Sequence, residues 1–401
     1  MSPSTDFVPF ARPSLGPEEE EAVLAVMRSG WLTTGKVTKA FEEEFAAYVG
    51  SSRALAVNSA TSGLHLALEA LGVGPGDFVV TSPYTFTSSA AVARHLGAEV
   101  LFCDISAEDY NLDPEKLEAI LATTPRVRAV IAVHIGGLPC RMAELLDICG
   151  RRGIPLVEDA AHAFPSRFPA GSLPAALVRG KSEPLAGTLG AIGVYSFYAT
   201  KTITTGEGGM IVTEDPVLAK RMATMRSHGF DRDAFDRYTS KTASWYYEVA
   251  EAGFKYNLPD LLSAIGREQL KKADRFLEER RSIARAYDEA FGGSPLLETP
   301  PRHPAHSWHL YSLRLRGPLA ARRDEFFERL QAAGVGASMH FIPLHLMPYF
   351  AKRYGLAPSS FPEAYAKYLR TLSLPIWQGM SAGQVERVAA AVLETAAGFK
   401  A

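Results

Sequence analysis

From about residue 18 to residue 230, short apolar runs alternate with amphipathic stretches, a pattern that predicts a mostly parallel β-sheet covered by helices on both faces. Ala54-Leu55-Ala56-Val57 reads as the first strand. The helix after it sets Leu64, Ala67, Leu68 and Leu71 at i, i+3, i+4 and i+7, one apolar stripe. Phe78-Val79-Val80, Val100-Leu101-Phe102 and Ala129 to His134 read as further strands. A helix from Met142 to about Arg152 leads to the buried strand Pro155-Leu156-Val157-Glu158, and Gly193 to Tyr198 and Met210-Ile211-Val212 close the series. Phe164 to Gly187, rich in proline and glycine, reads as a long surface loop.

A long charged helix, about Ile265 to Phe291, then leads into a smaller α+β unit. That unit is expected to hold a strand at Leu310 to Leu315, a helix from Ala320 to Ala333 and a terminal helix from Ala382 to Ala396. The division falls inside the long helix: a large domain over 1–265, then a bridging helix and small C-terminal domain over 266–401.

Composition narrows the function classes. With 401 residues, 47% of them hydrophobic, the chain can bury two cores. A formal net charge of -2 argues against a nucleic-acid surface, while leaving room for an anionic small substrate in a local basic pocket. The three cysteines, Cys103, Cys140 and Cys149, form no C-x-x-C pair, so neither a disulfide framework nor a thiolate zinc site is indicated. Met1 to Glu21 holds no apolar stretch fit for a signal peptide, and no run approaches the ~18 apolar residues of a membrane span. A soluble, cytoplasmic protein without membrane or nucleic-acid partners is expected.

Three segments carry candidate chemistry. In Tyr195-Ser196-Phe197-Tyr198-Ala199-Thr200-Lys201, followed by Thr205-Gly206-Glu207-Gly208-Gly209, a lysine follows a strand and precedes a glycine-rich turn. Partial desolvation there favours the neutral amine that Schiff-base formation needs; a solvated surface lysine is the plain alternative. Ser196 offers a hydroxyl to a phosphate. Glu158-Asp159-Ala160-Ala161-His162 ends an apolar run at the sheet's carboxyl edge, where α/β folds bind ligands. An ionised Asp159 there can pair with a protonated pyridine nitrogen, or simply cap a loop. His162 can contact the cofactor's O3′ or the substrate, or be structural. Asn58-Ser59-Ala60-Thr61 forms a strand-to-helix junction whose amides make an anion site, or an ordinary N-cap. Phe86, in Pro83-Tyr84-Thr85-Phe86-Thr87, can stack on a flat ring or pack in the core.

Two apparent motifs are set aside. Gly30-Trp31-Leu32-Thr33-Thr34-Gly35-Lys36 fits a phosphate loop, but Val37 replaces the magnesium-binding hydroxyl and a helix precedes it. His340 and His345 have no carboxylate cluster beside them and read as pocket or structural residues, not metal ligands.

In their order, these segments resemble the DegT/StrS family of pyridoxal-phosphate (PLP) sugar aminotransferases. The likeness extends through Gly30 to Gly35, Arg226-Ser227-His228-Gly229 and Gly253-Phe254-Lys255-Tyr256-Asn257. It implies an aspartate aminotransferase-like (PLP type I) fold and pyridoxal 5′-phosphate as cofactor. It casts Lys201 as the catalytic lysine and covalent anchor, and Asp159 as partner of the pyridinium. Ser196, Ser59 and the Ala60-Thr61 backbone are to bind phosphate, with Phe86 stacking and His162 beside the ring. Lys255, where many members have an asparagine, and Asn257 are to reach the phosphate of a second subunit, which makes a homodimer with shared sites. Trp31, Thr33, His340 and His345 are the expected substrate contacts.

Lys255, His162 and Ser59-Ala60-Thr61 resemble the UDP-4-amino-4-deoxy-L-arabinose aminotransferase branch. The expected reaction therefore moves an amino group from L-glutamate to the 4-keto group of a nucleotide-linked sugar. A 3-keto sugar or cyclitol substrate, a non-catalytic PLP-binding regulator and a cofactor-free Schiff-base aldolase are the alternatives. A PLP sugar dehydratase would carry histidine in place of Lys201. Two departures stand out: the 164–187 loop, with Arg167, Arg179 and Lys181 expected near the sugar pocket, and the Trp245-Tyr246-Tyr247 cluster.

Overall fold

The computed structural model describes residues 7–230 and 247–399. Of the Trp245-Tyr246-Tyr247 cluster, the first two residues lie outside the described residues. Seven strands form the central sheet: β1 (Ala54–Val57), β2 (Phe78–Thr81), β3 (Glu99–Phe102), β4 (Val127–Val133), β5 (Leu156–Asp159), β6 (Ile192–Ser196) and β7 (Gly209–Val212). Their spatial order is β1-β7-β6-β5-β4-β2-β3. Only β7 runs against its neighbours β1 and β6, so the sheet is mostly parallel.

Between the strands run α1 (Pro17–Ser29), α2 (Lys36–Val49), α3 (Ala60–Ala70), α4 (Ser88–His95), α5 (Pro114–Thr123), α6 (Met142–Gly150), the short α7 (Ala175–Val178) and α8 (Pro216–Arg226). Alternation along β4 explains the layering. Val130 and Ala132 enter one core with Phe41 and Phe45 of α2 and Leu145 of α6. Ala129, Ile131 and Val133 enter the other with Leu64 and Leu68 of α3, Val92 of α4 and Met222 of α8. Strands buried on both faces read as continuous apolar runs, which is why the sequence marks them.

The expected long charged helix is two helices, α9 (Asp260–Lys271) and α10 (Ala273–Phe291). They part at Lys272, whose backbone (φ -97, ψ -4) leaves the helical path and whose Nζ binds Glu19 at 2.7 Å and Glu18 at 3.2 Å. Beyond α10 come β8 (Leu297–Glu298), β9 (Tyr311–Leu315), α11 (Arg323–Ala332), α12 (Pro348–Tyr354), α13 (Pro362–Arg370), β10 (Thr371–Leu374) and α14 (Ala382–Ala397). A 3-10 turn over Gly317–Arg322 takes the start of the helix expected from Ala320. β10, β9 and β8 form a small antiparallel sheet over a third core that gathers Tyr287, Leu313, Phe326 and Val388. The C-terminal segment does not stay with this core: Leu344, Phe350 and Ala364 pack into the α3/α4 face of the large sheet.

The Phe164 to Gly187 loop departs from expectation in two ways. Phe164, Phe168, Leu185 and Ala186 are buried in the α2/α6 core, so its two ends are core segments. Two of its cations, Arg179 and Lys181, also lie away from the predicted pocket. Arg179 donates to Leu189 O at 3.3 Å, just before β6, and Lys181 pairs with Glu214 at 3.5 Å, just after β7. Both positions lie at the sheet edge opposite Asp159 and Ser196. Arg167 lies 4.9 Å over the Tyr48 ring and pairs with Asp274 at 3.5 Å.

Candidate active site

Parallel strands deliver their C-terminal residues to one edge, and here that edge collects Thr81, His134, Asp159, Ser196 and Val57. Asp159 is 4% exposed. Its Oδ2 accepts from Ser89 Oγ at 2.8 Å and its Oδ1 from Ala161 N–H at 3.1 Å, while Thr85 Oγ1 lies 2.9 Å from Ser89 Oγ. Burial lifts the Asp159 pKa above the usual carboxylate range; the Ser89 and Ala161 hydrogen bonds and the charge of Lys201 oppose that rise. A cation placed against this carboxylate would gain what burial has cost it.

The neighbouring Glu158 points to the other face of β5, as strand alternation requires. Fully buried, it accepts N–H bonds from Gly187 (2.7 Å), Leu189 (2.7 Å) and Gly190 (2.6 Å). His134 Nε2 lies 3.0 Å away; because His134 Nδ1 accepts from Cys140 N–H, Nε2 is the donor to Glu158. Burial works against the Glu158 charge, but these donors hold its pKa below the ordinary value. Adjacent acids thus do different work: one anchors the returning loop, the other faces the site.

Lys201 sits in the tight turn after β6, its N–H donating to Tyr198 O at 2.9 Å. Surrounding protein brings its pKa down to about 7, against the pull of Asp159 and with a further push from the Arg280 charge. Its Nζ lies 3.4 Å from His309 Nε2. The His309 ring is 4.4 Å from that of His162, and His162 stacks at 5.6 Å on Phe341. His162 Nδ1 accepts from Gly136 N–H at 3.3 Å, and burial holds the ring neutral, its pKa well below the usual value. His340 stacks on Phe10 at 5.1 Å with Nδ1 3.1 Å from Ser373 Oγ; burial, then Lys201, take its pKa down to about 4. Lys201, His309 and His162 therefore lie side by side, with His340 near enough to feel the lysine's charge, in a site that disfavours extra positive charge.

The third side is the start of α3. Ser59 caps it, its Oγ accepting from Ser62 N–H at 3.1 Å, so the plain capping role is real. The first-turn amides of Ala60 and Thr61 precede any intrahelical acceptor, as at every helix start. Two glycines let the helix close on the sheet. A Cβ on Gly63 would stand 2.7 Å from Val194 Cγ1, and one on Gly209 2.8 Å from Ala60 N. Gly209 pairs with both Ser196 and Val57, placing Ser196 beside the α3 N-terminus. A carboxylate, an amine of low pKa and a helix N-terminus with a serine form the donor set that a phosphorylated pyridine aldehyde requires.

Other expected residues fall around this set. Phe86 is exposed at the rim, 6.0 Å from Phe341. Asn257 pairs with Val57 in backbone and gives its Nδ2 to Thr34 Oγ1 of its own chain at 2.5 Å; Lys255 beside it is exposed. Trp31 donates to Thr34 O at 3.3 Å, and Thr33 O accepts from Asp260 N–H at 3.3 Å, which ties this turn to the start of α9 near the β1 end. His345 turns away from the expected substrate side: fully buried, it packs at 5.1 Å on Phe361, near Asp104. Apolar enclosure explains the deviation, since its neighbours Leu344 and Phe350 belong to the core. Among the described residues no cluster of metal-ligating side chains occurs. Sequence reasoning missed His309, Ser89 and Arg280, which come from segments with no local motif, and Thr85, which lies in the segment marked only for Phe86; the fold brings them together.

Residues 13–393 match the DegT/DnrJ/EryC1/StrS aminotransferase family. The chain is 42% identical over 396 residues to the spore coat polysaccharide biosynthesis protein SpsC of Bacillus subtilis, covering 98% of each chain. Helicobacter pylori PseC, an aminotransferase involved in the biosynthesis of pseudoaminic acid, superposes with a TM-score of 0.88 at 28% identity, over 98% of this chain and all of that one. Spr1654 of Streptococcus pneumoniae, in its PLP form, gives 0.87 at 27% identity over 98% and 99% of the two chains. The fold is thus the PLP type I architecture, and the chain belongs to the DegT/DnrJ/EryC1/StrS family of PLP-dependent sugar aminotransferases.

Proposed function

We propose that this aminotransferase moves an amino group from L-glutamate to the 4-keto group of a nucleotide-linked sugar, in two half-reactions that share one lysine. The observation that carries the reading is the Lys201 amine, its pKa brought down to about 7, in the same buried site as the Asp159 carboxylate. PLP, when bound, supplies the electron sink. Lys201 anchors it, is released by the incoming amino donor, and then takes up the donor's α-proton on Nζ and gives it back. An amine near half-protonation at neutral pH does both. Asp159 holds positive charge on the ring nitrogen's side. Ser196, Ser59 and the Ala60 and Thr61 amides would hold the phosphate, and His162 and Phe86 would flank the ring. Lys255 and Asn257 serve the phosphate of a second copy, which makes the working form a homodimer. Trp31, Thr33 and His340 contact the sugar nucleotide.

The choice of a 4-keto sugar rests on Ser59-Ala60-Thr61, His162 and Lys255, and the sugar class on the names of the similar proteins. No helix among the described residues is long and apolar enough to cross a membrane; a cytoplasmic site of action follows from the supply of glutamate and nucleotide sugars. The test follows the cofactor's visible absorbance on adding L-glutamate, with 2-oxoglutarate measured in parallel, then adds 4-keto and 3-keto nucleotide sugars separately. Bleaching by glutamate and recovery by the 4-keto compounds are expected. No bleaching removes the donor, and recovery by 3-keto sugars or cyclitols alone removes the acceptor.

A further inference from the structure

Arg280, on α10, is 1% exposed, yet among the described residues no carboxylate is in ion-pair contact with it. Its Nη1 donates to three backbone oxygens: Trp308 O at 3.1 Å, His309 O at 3.3 Å and Ile376 O at 2.8 Å. Its Nε donates to Gln378 Oε1 at 3.1 Å, and Gln378 Nε2 donates in turn to Thr202 O at 3.1 Å. One guanidinium therefore joins the residue after Lys201 to the residue whose ring touches Lys201.

The His309 side of this frame is strained. Trp308 has φ 55, in the left-handed region that costs a bulky residue about 1–3 kcal/mol. It is held there by stacking on His306 at 4.0 Å, by its N–H bond to His306 Nδ1 at 2.9 Å and by the Arg280 contact. The turn aims His309 Nε2 at Lys201 Nζ. Among the described residues His309 Nδ1 is buried without a hydrogen-bond partner, so the ring is directed by its backbone turn and its packing on His162 rather than by a hydrogen bond at Nδ1.

Among the described residues Arg280 is hydrogen-bonded to neutral oxygens alone, and burial, opposed in part by the Glu279 charge, brings its pKa down only to about 10. Arg280 is therefore protonated at neutral pH and its charge bears on the amine. We propose that Arg280 is a positioning residue for the transamination, locking the Lys201 turn and the His309 ring into one frame and keeping a buried positive charge beside the reacting amine. The proposal rests on Lys201 as the reacting amine. The other titratable groups facing that amine are Asp159 after β5, His162 beyond it, and His309 and His340 from the C-terminal segment. Of these, only Asp159 favours the protonated lysine.

The test begins with the cofactor-free protein, measuring acylation of Lys201 against pH by peptide mass spectrometry. Arg280→Met should raise the midpoint by about one pH unit, so that the rate at pH 7 falls about fivefold. Arg280→Lys, which keeps the charge, should leave the midpoint within about 0.3 unit of the unaltered protein. An unmoved midpoint in Arg280→Met, or an equal rise in Arg280→Lys, overturns the electrostatic part. Gln378→Met, which cuts the tie to Thr202 and leaves the cation, tests the frame should Arg280→Met not fold. It should slow bleaching by L-glutamate about tenfold, with the midpoint and cofactor attachment unchanged; a rate equal to that of the unaltered protein overturns the frame. Borohydride reduction and peptide mapping of the unaltered protein is read separately: a cofactor found elsewhere than Lys201 removes the site assignment itself.

Discussion

The two edges of the central sheet both carry lysines, and they show how surroundings decide what a lysine can do. At the edge where β6 begins, Lys181 lies partly exposed with the Glu214 carboxylate 3.5 Å away, and Arg179 meets a backbone carbonyl. At the edge where β6 ends, Lys201 has no such ion pair, and burial with the Arg280 charge brings its pKa down to about 7. The first arrangement fastens a loop; the second leaves an amine of lowered pKa, as the proposed role of Lys201 requires. Residue type alone does not separate them.

The sharpest way to break this contrast is to exchange amine for methyl at each edge. Lys201→Ala should lose covalently attached PLP and at least about 10³-fold in kcat. Retained turnover would end the assignment. Asp159→Asn keeps the Ser89 contact but not the charge, and should cost about 10²-fold in kcat while PLP stays on Lys201. Glu158→Gln separates the anchoring acid from the one proposed for the chemistry. It should destabilise the fold by about 3 kcal/mol, read as a lower midpoint in denaturant, because amide hydrogens would face the Gly187, Leu189 or Gly190 donors. Because the donors hold the Glu158 pKa below its ordinary value, the stability it adds is fully present above that value and is lost as pH falls through the lowered one.

Cofactor attachment to the cofactor-free protein gives a finer reading. With the Lys201 pKa down to about 7, the rate should rise with pH and level off above neutrality, being about tenfold below its limit at one unit under that pKa. A rate still rising steeply above pH 9 would mean an ordinary, solvated amine. The smallest effect belongs to the far edge: Arg179→Ala and Lys181→Ala should leave kcat/KM within about twofold and stability within about 0.5 kcal/mol. A tenfold loss there would return those cations to the substrate pocket.

Much of this was legible in the chain, and for definite reasons. β5 and β6 are buried on both faces, so their apolar runs are unbroken and the polar residues ending them, Asp159 and Ser196, stand out. Lys201 is legible through its glycine-rich turn. Arg280 was hidden in a helix full of charges, of which Arg275 and Arg281 form i,i+4 and i,i+3 surface pairs; only tertiary contact distinguishes it. His309 looked like the lead-in to a strand. The loop cations were misplaced because a proline- and glycine-rich stretch says that the chain turns, not toward which edge. Of the two readings left open for His345, pocket or structural, the structural one holds, because the apolar cover over it becomes visible only in the fold.

Glu158 and Asp159, described above as facing opposite sides of β5, also constrain how this protein can change. Side chains on a strand alternate, so a single inserted or deleted residue upstream in β5 would trade their places. Glu158 would then face the proposed cofactor site, and Asp159 would be driven among backbone amides that hold its neighbour. The chemistry here is thus counted in residues before it is measured in ångströms, and sequence drift in β5 is confined to swaps that keep the count.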